Sequence, residues 1–441
     1  MRTRFLAAVG LAVALAFPLG VAASNVDLAA THVHSRNMHP LGDSPRPNPA
    51  PGVFNSDLAF WGDRAYQGTY DGFRIIDVSS PANPKTLNDY DECFGNQGDV
   101  IVWGTLLVRS WNSPAPAGAT CDGDPVLPGW EGVHVFDVSN PGDPDLVGSV
   151  RTACGSHTET AVPDLANNRL LVYNNSSSGT CPGIDILEVP LDEPEASSFI
   201  RFEPAGRSCH DSGVILGDAM LAACAGTVAG QPGLTVWSLG GSRGGSLEDP
   251  LQLWTANVTG TTTGHSASFS WDGEVVIFGT EPGGGSAPRC TPTGTQVSPT
   301  TVQTDEMKSL FFFNAATGSF LGKHVLPRPQ TLTENCTMHN YNVVPTDKRR
   351  VLVHGSYQSG IGVVDFTDPT NAVEIGYADP APLSDTQLIL GGDWSSYWYD
   401  GRIYESDITR GLIIWNLSDR AVAGALKLRH LNPQTQEFTL D

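Results

Sequence analysis

Four histidines occupy equivalent places along the chain, and imidazole is the side chain that most often binds copper, zinc, iron or nickel in proteins. Each opens a short strand-like segment, such as His265-Ser-Ala-Ser-Phe269. If the fold gathers these segments, four rings converge and could hold a metal ion. The candidate metal ligands are His157, His210, His265 and His339.

Carboxylates and a fifth histidine accompany this set. We expect Glu159, Asp211, Glu281 and His354 to orient the rings or to act as further ligands. The candidate catalytic groups are Glu159 and Glu281 as general bases, together with Arg109. A structural role for the histidines is the alternative. Gly264-His265 is similar to the Gly-His pair with which WD-type propellers join a loop to a strand.

A sevenfold repeat indicates how these residues are positioned. Successive copies begin 60, 51, 50, 76, 51 and 51 residues apart. β-rich units with a period of about 50 residues are typical of propellers, in which each unit buries its apolar face against its neighbours. We therefore predict an all-β, seven-bladed β-propeller of four-stranded antiparallel blades. The copies begin at Gly72, Gly132, Gly183, Gly233, Ser309, Gly360 and Gly411.

The repeat corresponds to the third strand of each blade, counted outwards from the central channel. The four histidines then begin the innermost strands of blades 3 to 6, beside the mouth of the channel that we call the upper mouth. Two long insertions, around 112–130 and 283–304, fall between the second and third strands of blades 2 and 5. They lie on the same face, where propeller loops often bind ligands.

Three copies continue into a turn with a conspicuous proline: Ile75-Ile-Asp-Val-Ser-Ser-Pro81, Val135-Phe-Asp-Val-Ser-Asn-Pro141 and Val363-Val-Asp-Phe-Thr-Asp-Pro369. This pattern resembles the LVIVD repeat of bacterial and archaeal cell-surface proteins. The resemblance extends over about 54–428 and is weaker in blades 3, 4, 5 and 7. It implies a propeller at or beyond the cell surface, and it implies no particular chemistry.

Charge and the chain ends suggest an exported protein. Residues 1–23 combine a basic start, an apolar run and small residues, as in a cleaved secretory signal. We expect an N-terminal arm at 24–53, which either packs on the ring or closes it, and the propeller at 54–441. No transmembrane segment is expected after cleavage. The formal net charge of −22 disfavours nucleic-acid binding, because phosphate contacts need clustered lysine and arginine.

The N-terminal arm contains a second group of metal-ligand types. His32, His34, Met38 and His39 lie close together in sequence. Two interpretations remain open: a copper-binding cluster, or a strand that packs on the ring.

Eight cysteines in an exported chain indicate disulfide bonds. Pairing neighbouring loops of the upper face favours four bridges over a competing set containing Cys121–Cys154 and Cys181–Cys209. The preferred bridges are Cys93–Cys121, Cys154–Cys181, Cys209–Cys224 and Cys290–Cys336.

These patterns support a secreted or cell-surface propeller that binds a metal ion, a ligand or both at its upper mouth. The cofactor would be a divalent or copper ion, and the partner a small ligand or a cell-surface molecule. A copper-dependent oxidoreductase is the alternative, by analogy with propeller enzymes that carry histidines at the channel mouth. A metal-assisted hydrolase is a third hypothesis.

Overall fold

The computed structural model describes residues 31–46, 49–284, 291–328 and 330–440. The signal predicted at 1–23 lies outside these residues. Two N-terminal strands, β1 (His32–His34) and β2 (Met38–Ser44), precede seven sets of consecutive antiparallel strands. We number these sets as blades 1 to 7, and the all-β propeller class is as predicted.

Each of the first four blades contains four antiparallel strands of its own. Their inner strands are buried almost throughout because they pack between neighbouring blades, whereas outermost strands such as β6 are largely exposed. The strands of blades 1 to 4 are β3–β6 (Asn55–Trp61, Arg64–Thr69, Gly72–Asp77, Lys85–Tyr90), then β7, β8, β11 and β12 (Val100–Trp103, Leu106–Trp111, Gly132–Asp137, Asp145–Arg151), then β13–β16 (Glu159–Asp164, Arg169–Asn175, Gly183–Pro190, Ser198–Pro204), then β17–β20 (Ser208–Ile215, Leu221–Val228, Gln231–Ser238, Leu251–Asn257).

Blades 5 and 6 also contain four strands each, whereas blade 7 takes three from the last part of the chain. Small hairpins occur in the two insertions: β9 and β10 (Thr120–Cys121, Asp124–Pro125), and β23 and β24 (Gln296–Ser298, Thr301–Val302). The strands of blades 5 to 7 are β21, β22, β25 and β26 (Gly264–Phe269, Val275–Thr280, Ser309–Asn314, Phe320–Val325), then β27–β30 (Asn340–Val343, Val351–Gly355, Ile361–Asp365, Val373–Pro380), then β31–β33 (Asp393–Tyr399, Arg402–Asp407, Gly411–Leu417).

The N-terminal arm closes the ring. Strand β2 pairs with β33 and so provides the fourth, outermost strand of blade 7. Strand β1 pairs with the outer edge of blade 6, and its His32 ring packs edge-on against Trp415 of blade 7. This segment is therefore a pair of strands on the ring, and the first and last blades are held together by hydrogen bonds between the two ends of the sequence.

Each interface between neighbouring blades contains its own apolar cluster. One cluster joins blades 1 and 7 through residues such as Phe60 and Tyr399, whose rings stack with centroids 4.5 Å apart. Comparable clusters join every other adjacent pair among the described residues. The innermost strands also contact one another around the full circle. Residues at the start of these strands are consequently held around one channel.

The C-terminal segment lies across the lower end of the channel. Two short strands, β34 (His430–Leu431) and β35 (Thr435–Gln436), pair with the innermost strands of blades 1 and 4. Between them, Asn432 accepts a hydrogen bond from the Val102 amide at 2.8 Å and donates one to the Val102 carbonyl at 2.9 Å. The segment thus satisfies backbone groups that the inner strands expose to the channel.

Three of the predicted disulfides are present: Cys93–Cys121, Cys154–Cys181 and Cys209–Cys224. The first two connect segments of the upper face, and the third joins the paired strands β17 and β18 within blade 4. The second and third lie next to the segments that begin with His157 and His210. The fourth predicted bridge includes Cys290, which lies outside the described residues. Each bridge typically stabilises a protein by about 2–4 kcal/mol.

The fold predicts that Asn432→Ala lowers the free energy of unfolding by about 2–4 kcal/mol, because both polar groups of Val102 would lose their buried partner. Urea denaturation measures this change. Replacement of the exposed Gln387 by alanine is the control and should stay within about 0.5 kcal/mol of the wild type. A similarly small loss for Asn432→Ala would show that the segment does not contribute to the ring.

Candidate metal centre

The four histidines of blades 3 to 6 meet at the upper mouth. Ring centroids of neighbouring histidines are 4.3, 4.1 and 4.2 Å apart along the series His157, His210, His265, His339. The Nε2 atoms of His157 and His210 are 2.9 Å apart. Two ligands bound to one zinc-type ion at usual lengths would be separated by about 2.9–3.4 Å. The spacing of this pair therefore suits a shared ion.

Local strand geometry turns two of these rings towards the channel. The pairing of β17 with β18 shifts register at His210, and that of β21 with β22 shifts between Gly264 and Ala267, on either side of His265. Such β-bulges re-aim side chains and recur next to functional sites. Gly264 also allows close packing, since a Cβ there would lie 2.2 Å from the Gly226 carbonyl oxygen.

Hydrogen bonds define the proton positions on the two outer rings. Nδ1 of His157 lies 2.8 Å from the amide oxygen of Asn112, and Nδ1 of His339 lies 2.7 Å from the carbonyl oxygen of Trp394. Both oxygens only accept hydrogen bonds, so each Nδ1 carries the proton and each Nε2 presents a lone pair. This arrangement is typical of metal-binding histidines, whose other nitrogen is anchored by an oxygen.

The two inner rings each leave a nitrogen without a partner. Nδ1 of His210 and Nδ1 of His265 are buried and have no hydrogen-bond partner within the part of the chain that the structure describes. An unpaired buried polar atom costs free energy. These rings are therefore incompletely satisfied by protein atoms alone.

Burial keeps all four imidazoles neutral near pH 7. It lowers the pKa of His157 to about 4 and that of His339 to about 3. The pKa values of His210 and His265 fall well below the usual range, first through burial and then through repulsion from neighbouring histidines. Neutral imidazole is the form that binds metals.

Glu281 adds a carboxylate between two of the rings. Its oxygens lie 3.9 Å from Nε2 of His265 and 3.8 Å from Nε2 of His339. The hydroxyl of Tyr357 donates a 2.5 Å hydrogen bond to Glu281 Oε1, and burial raises the pKa of Glu281 to about 7. Ligand atoms of His210, His265 and Glu281 lie within 4.8 Å of one another, close enough for a shared ion.

A cavity of about 200 Å³ lies in front of these rings. Asp57, on the innermost strand of blade 1, and Asp99, directly before the innermost strand of blade 2, also line it. Burial raises the pKa of both carboxyl groups. Gln434 of the C-terminal segment donates a hydrogen bond to Asp57 at 3.1 Å, so this segment lies directly behind the cavity.

Other predicted residues lie apart from the four rings. His354 packs with its Nε2 towards Gly362 of the next strand, and its Nδ1 bonds Ser356 at 2.8 Å. Arg109 donates hydrogen bonds to backbone carbonyl groups, including Gly72 and Thr69. Neither side chain lines the cavity. Their positions fit structural roles.

Two predicted carboxylates lie behind the histidines. Glu159 accepts a 2.6 Å hydrogen bond from Ser156, and burial raises the pKa of Glu159 to about 8. Asp211 accepts a hydrogen bond from the Ser212 amide. Neither is among the residues that line the cavity, so Glu159 is poorly placed to act as a general base there.

Sequence reasoning missed several residues of this region. Asn112 anchors His157, and Asp57, Asp99 and Trp394 line the cavity. Asp57, Asp99 and Trp394 occur in the same aligned strand starts as the histidines, which was the signal that could have found them. Asn112 lies in the insertion of blade 2, which has no counterpart in the other repeats with which it could be aligned.

Comparisons with known proteins agree with this architecture. The LVIVD repeat family matches residues 55–92 and 128–152, in blades 1 and 2. No curated protein matches the sequence significantly.

Among solved structures, the β-propeller domain of Myceliophteria thermophila Cps50 (Swd1) is 10% identical with a TM-score of 0.50, and the alignment covers 85% of this chain and 100% of that one. Chaetomium thermophilum Raptor is 11% identical with a TM-score of 0.50, over 89% of this chain and 30% of that one. Identities this low reflect fold alone. The chain is a β-propeller that carries LVIVD repeats.

Proposed function

We propose that this protein binds a transition-metal ion at the upper mouth of its channel. The ligands are drawn from His157, His210, His265 and His339, with Glu281 as the carboxylate. The observation that carries the proposal is the convergence of four neutral imidazoles, two of them anchored through Nδ1 so that Nε2 is left to coordinate. Nitrogen ligands with one carboxylate suit zinc, copper, iron or nickel.

A purely structural role for the histidines accounts less well for the contacts. Nδ1 of His210 and Nδ1 of His265 have no partner among the described residues, but one ring nitrogen of His134, His324 and His354 is equally unpartnered, so this feature alone does not mark a ligand. The four histidines differ from these because their rings lie 4.1 to 4.3 Å from one another in an unbroken series. In the metal-free protein, His210 Nε2 donates a 2.9 Å hydrogen bond to the lone pair of His157 Nε2. A bound ion would replace the shared proton and take both nitrogens as ligands.

A metal-dependent oxidoreductase is the second candidate, with copper as the favoured ion. It is supported by the cavity beside the rings, which leaves space for a substrate next to the metal. A hydrolase is less well supported, because Glu159 does not line the cavity and Glu281 is engaged by Tyr357.

We also propose that the protein acts outside the cytoplasm. Its three described disulfides are typical of oxidising compartments. Within the described residues, no helix is long and apolar enough to cross a membrane. The partner that we propose is a small ligand or a cell-surface molecule that reaches the upper mouth.

Elemental analysis tests the metal site. Protein purified from its natural source should contain close to one equivalent of metal, and the variant with His157, His210, His265 and His339 all changed to alanine should contain none. The single variant His265→Ala should bind added metal at least about 100-fold more weakly, because it removes one direct ligand.

His39→Ala is the matched control, since His39 is an exposed histidine on β2. It should retain the full metal content. Circular dichroism should show that all variants keep the β-sheet signal. Metal that persists in the fourfold variant, or its absence from the wild type, would return the histidines to a structural role.

Glu281→Gln should change the free energy of unfolding in opposite directions in the metal-free and the metal-bound protein. In the metal-free protein, a carboxyl group whose pKa is raised from 4.5 to about 7 binds its proton more tightly when folded. Its contribution to stability is therefore lost as pH rises from about 4.5 to about 7. Relative to wild type, Glu281→Gln should gain about 3 kcal/mol of unfolding free energy between pH 4.5 and pH 8.

Urea denaturation in chelator at the two pH values measures this gain. Replacement of the exposed Glu195 by glutamine is the control and should change the free energy of unfolding by at most about 0.5 kcal/mol at both pH values. With metal added at pH 8, Glu281→Gln should instead be the less stable protein, because it has lost an anionic ligand. Equal stability differences with and without metal would contradict a coordinating role for Glu281.

A further inference from the structure

Besides the histidines and Glu281, the cavity is lined by polar side chains such as Asp57 and Gln97 and by a group of aromatic and aliphatic side chains. We call this last group the aromatic wall; its residues are Tyr70, Tyr357, Leu390 and Trp394. Tyr357, Trp394 and Ile408 form a buried apolar cluster of their own, against which Phe54 and Leu390 pack. Metal binding alone does not require such a wall.

The aromatic wall is held in a defined position. Tyr357 adopts a left-handed backbone conformation with φ of 49°, which is unfavourable for a bulky residue and recurs at functional sites. Hydrogen bonds of 2.9 and 2.8 Å to the Asp393 backbone clamp it there. Its ring lies 4.5 Å from that of His339, while the Trp394 ring lies 4.9 Å from His339. The wall therefore directly adjoins the proposed ligands.

The volume of the cavity and the charges of its lining residues restrict which ligand it can hold. The volume of about 200 Å³ exceeds what an ion with one bound water fills, since a water accounts for about 30 Å³ of liquid volume. Among the described residues that line the cavity there is no lysine or arginine, and three carboxyl groups face it: Asp57, Asp99 and Glu281. In the metal-free protein, an anionic ligand would therefore be disfavoured.

We infer that the cavity binds a small, uncharged phenol beside the metal. The aromatic ring lies against Trp394 and Tyr70, and the hydroxyl group faces Glu281 and the histidines. Stacked or edge-on aromatic contacts favour a flat ring over an aliphatic one of the same size. The orientation of the hydroxyl rests on the metal site proposed above, whereas the aromatic contacts do not.

Calorimetric titration of the full chain with phenol tests this inference, with and without bound Co²⁺. Phenol should bind in both states, more tightly with the metal, and should alter the visible spectrum of the Co²⁺ form. In the metal-free protein, cyclohexanol, which lacks the flat ring, and benzoate, which carries a negative charge, should each bind at least about tenfold more weakly than phenol.

Two variants of Trp394 separate ligand contact from folding. Trp394→Phe keeps an aromatic ring and should retain phenol binding within about threefold, whereas Trp394→Leu should weaken it about tenfold. If Trp394→Leu lowers the melting temperature, Tyr70→Leu provides a second measurement, because Tyr70 also lines the cavity. The phenol affinity of Tyr70→Leu should be about tenfold below that of the wild type as well.

The outcomes distinguish the two proposals. Phenol binding without any Co²⁺ binding would support the aromatic site and contradict the metal site. Co²⁺ binding without phenol binding would overturn the inference and leave the metal site intact. Equal affinity for phenol and cyclohexanol would also overturn the inference, because the aromatic wall would then play no part.

Discussion

Closure of the ring is the constraint on which the rest of the structure depends. Each blade buries its faces only against its two neighbours, so the apolar clusters form a circuit that must be complete. The pairing of β2 with β33 completes it with residues from the two ends of the sequence. Because the circuit is closed, equivalent positions of blades 3 to 6 face one channel, and His157 and His339 become parts of one cluster although 182 residues separate them.

Burial then determines the chemistry of the channel. Low dielectric surroundings disfavour charge on histidines and carboxylic acids alike, so the imidazoles are neutral and the pKa values of Asp57, Asp99 and Glu281 are raised. A metal ion changes this balance, because it supplies the positive charge that a buried carboxylate lacks. The C-terminal segment keeps the lower end of the channel closed, and Gln434 links it to Asp57.

Much of this arrangement could be predicted from the sequence. The repeat of about 50 residues indicated β-rich blades, and aligned strand starts predicted that four histidines would meet. Pairing neighbouring loops predicted the disulfides Cys93–Cys121, Cys154–Cys181 and Cys209–Cys224, which are present.

Other features depend on contacts that no local pattern encodes. The strands β34 and β35 are two residues long and rich in polar side chains, so nothing in their pattern indicates pairing inside a channel. His354 lies on a strand next to the inner one, and its side chain packs against Gly362 instead of reaching the cavity. The bulges at His210 and His265 depend on the register of long-range pairing.

The most direct test of the account is the position of a bound metal ion. Anomalous diffraction from crystals grown with Zn²⁺ would locate it without reference to activity. The account predicts one strong peak at the upper mouth, about 2.0–2.2 Å from at least two histidine nitrogens among His157, His210, His265 and His339 and within reach of Glu281. A peak elsewhere, or none at the histidines in crystals that contain Zn²⁺, would contradict the account.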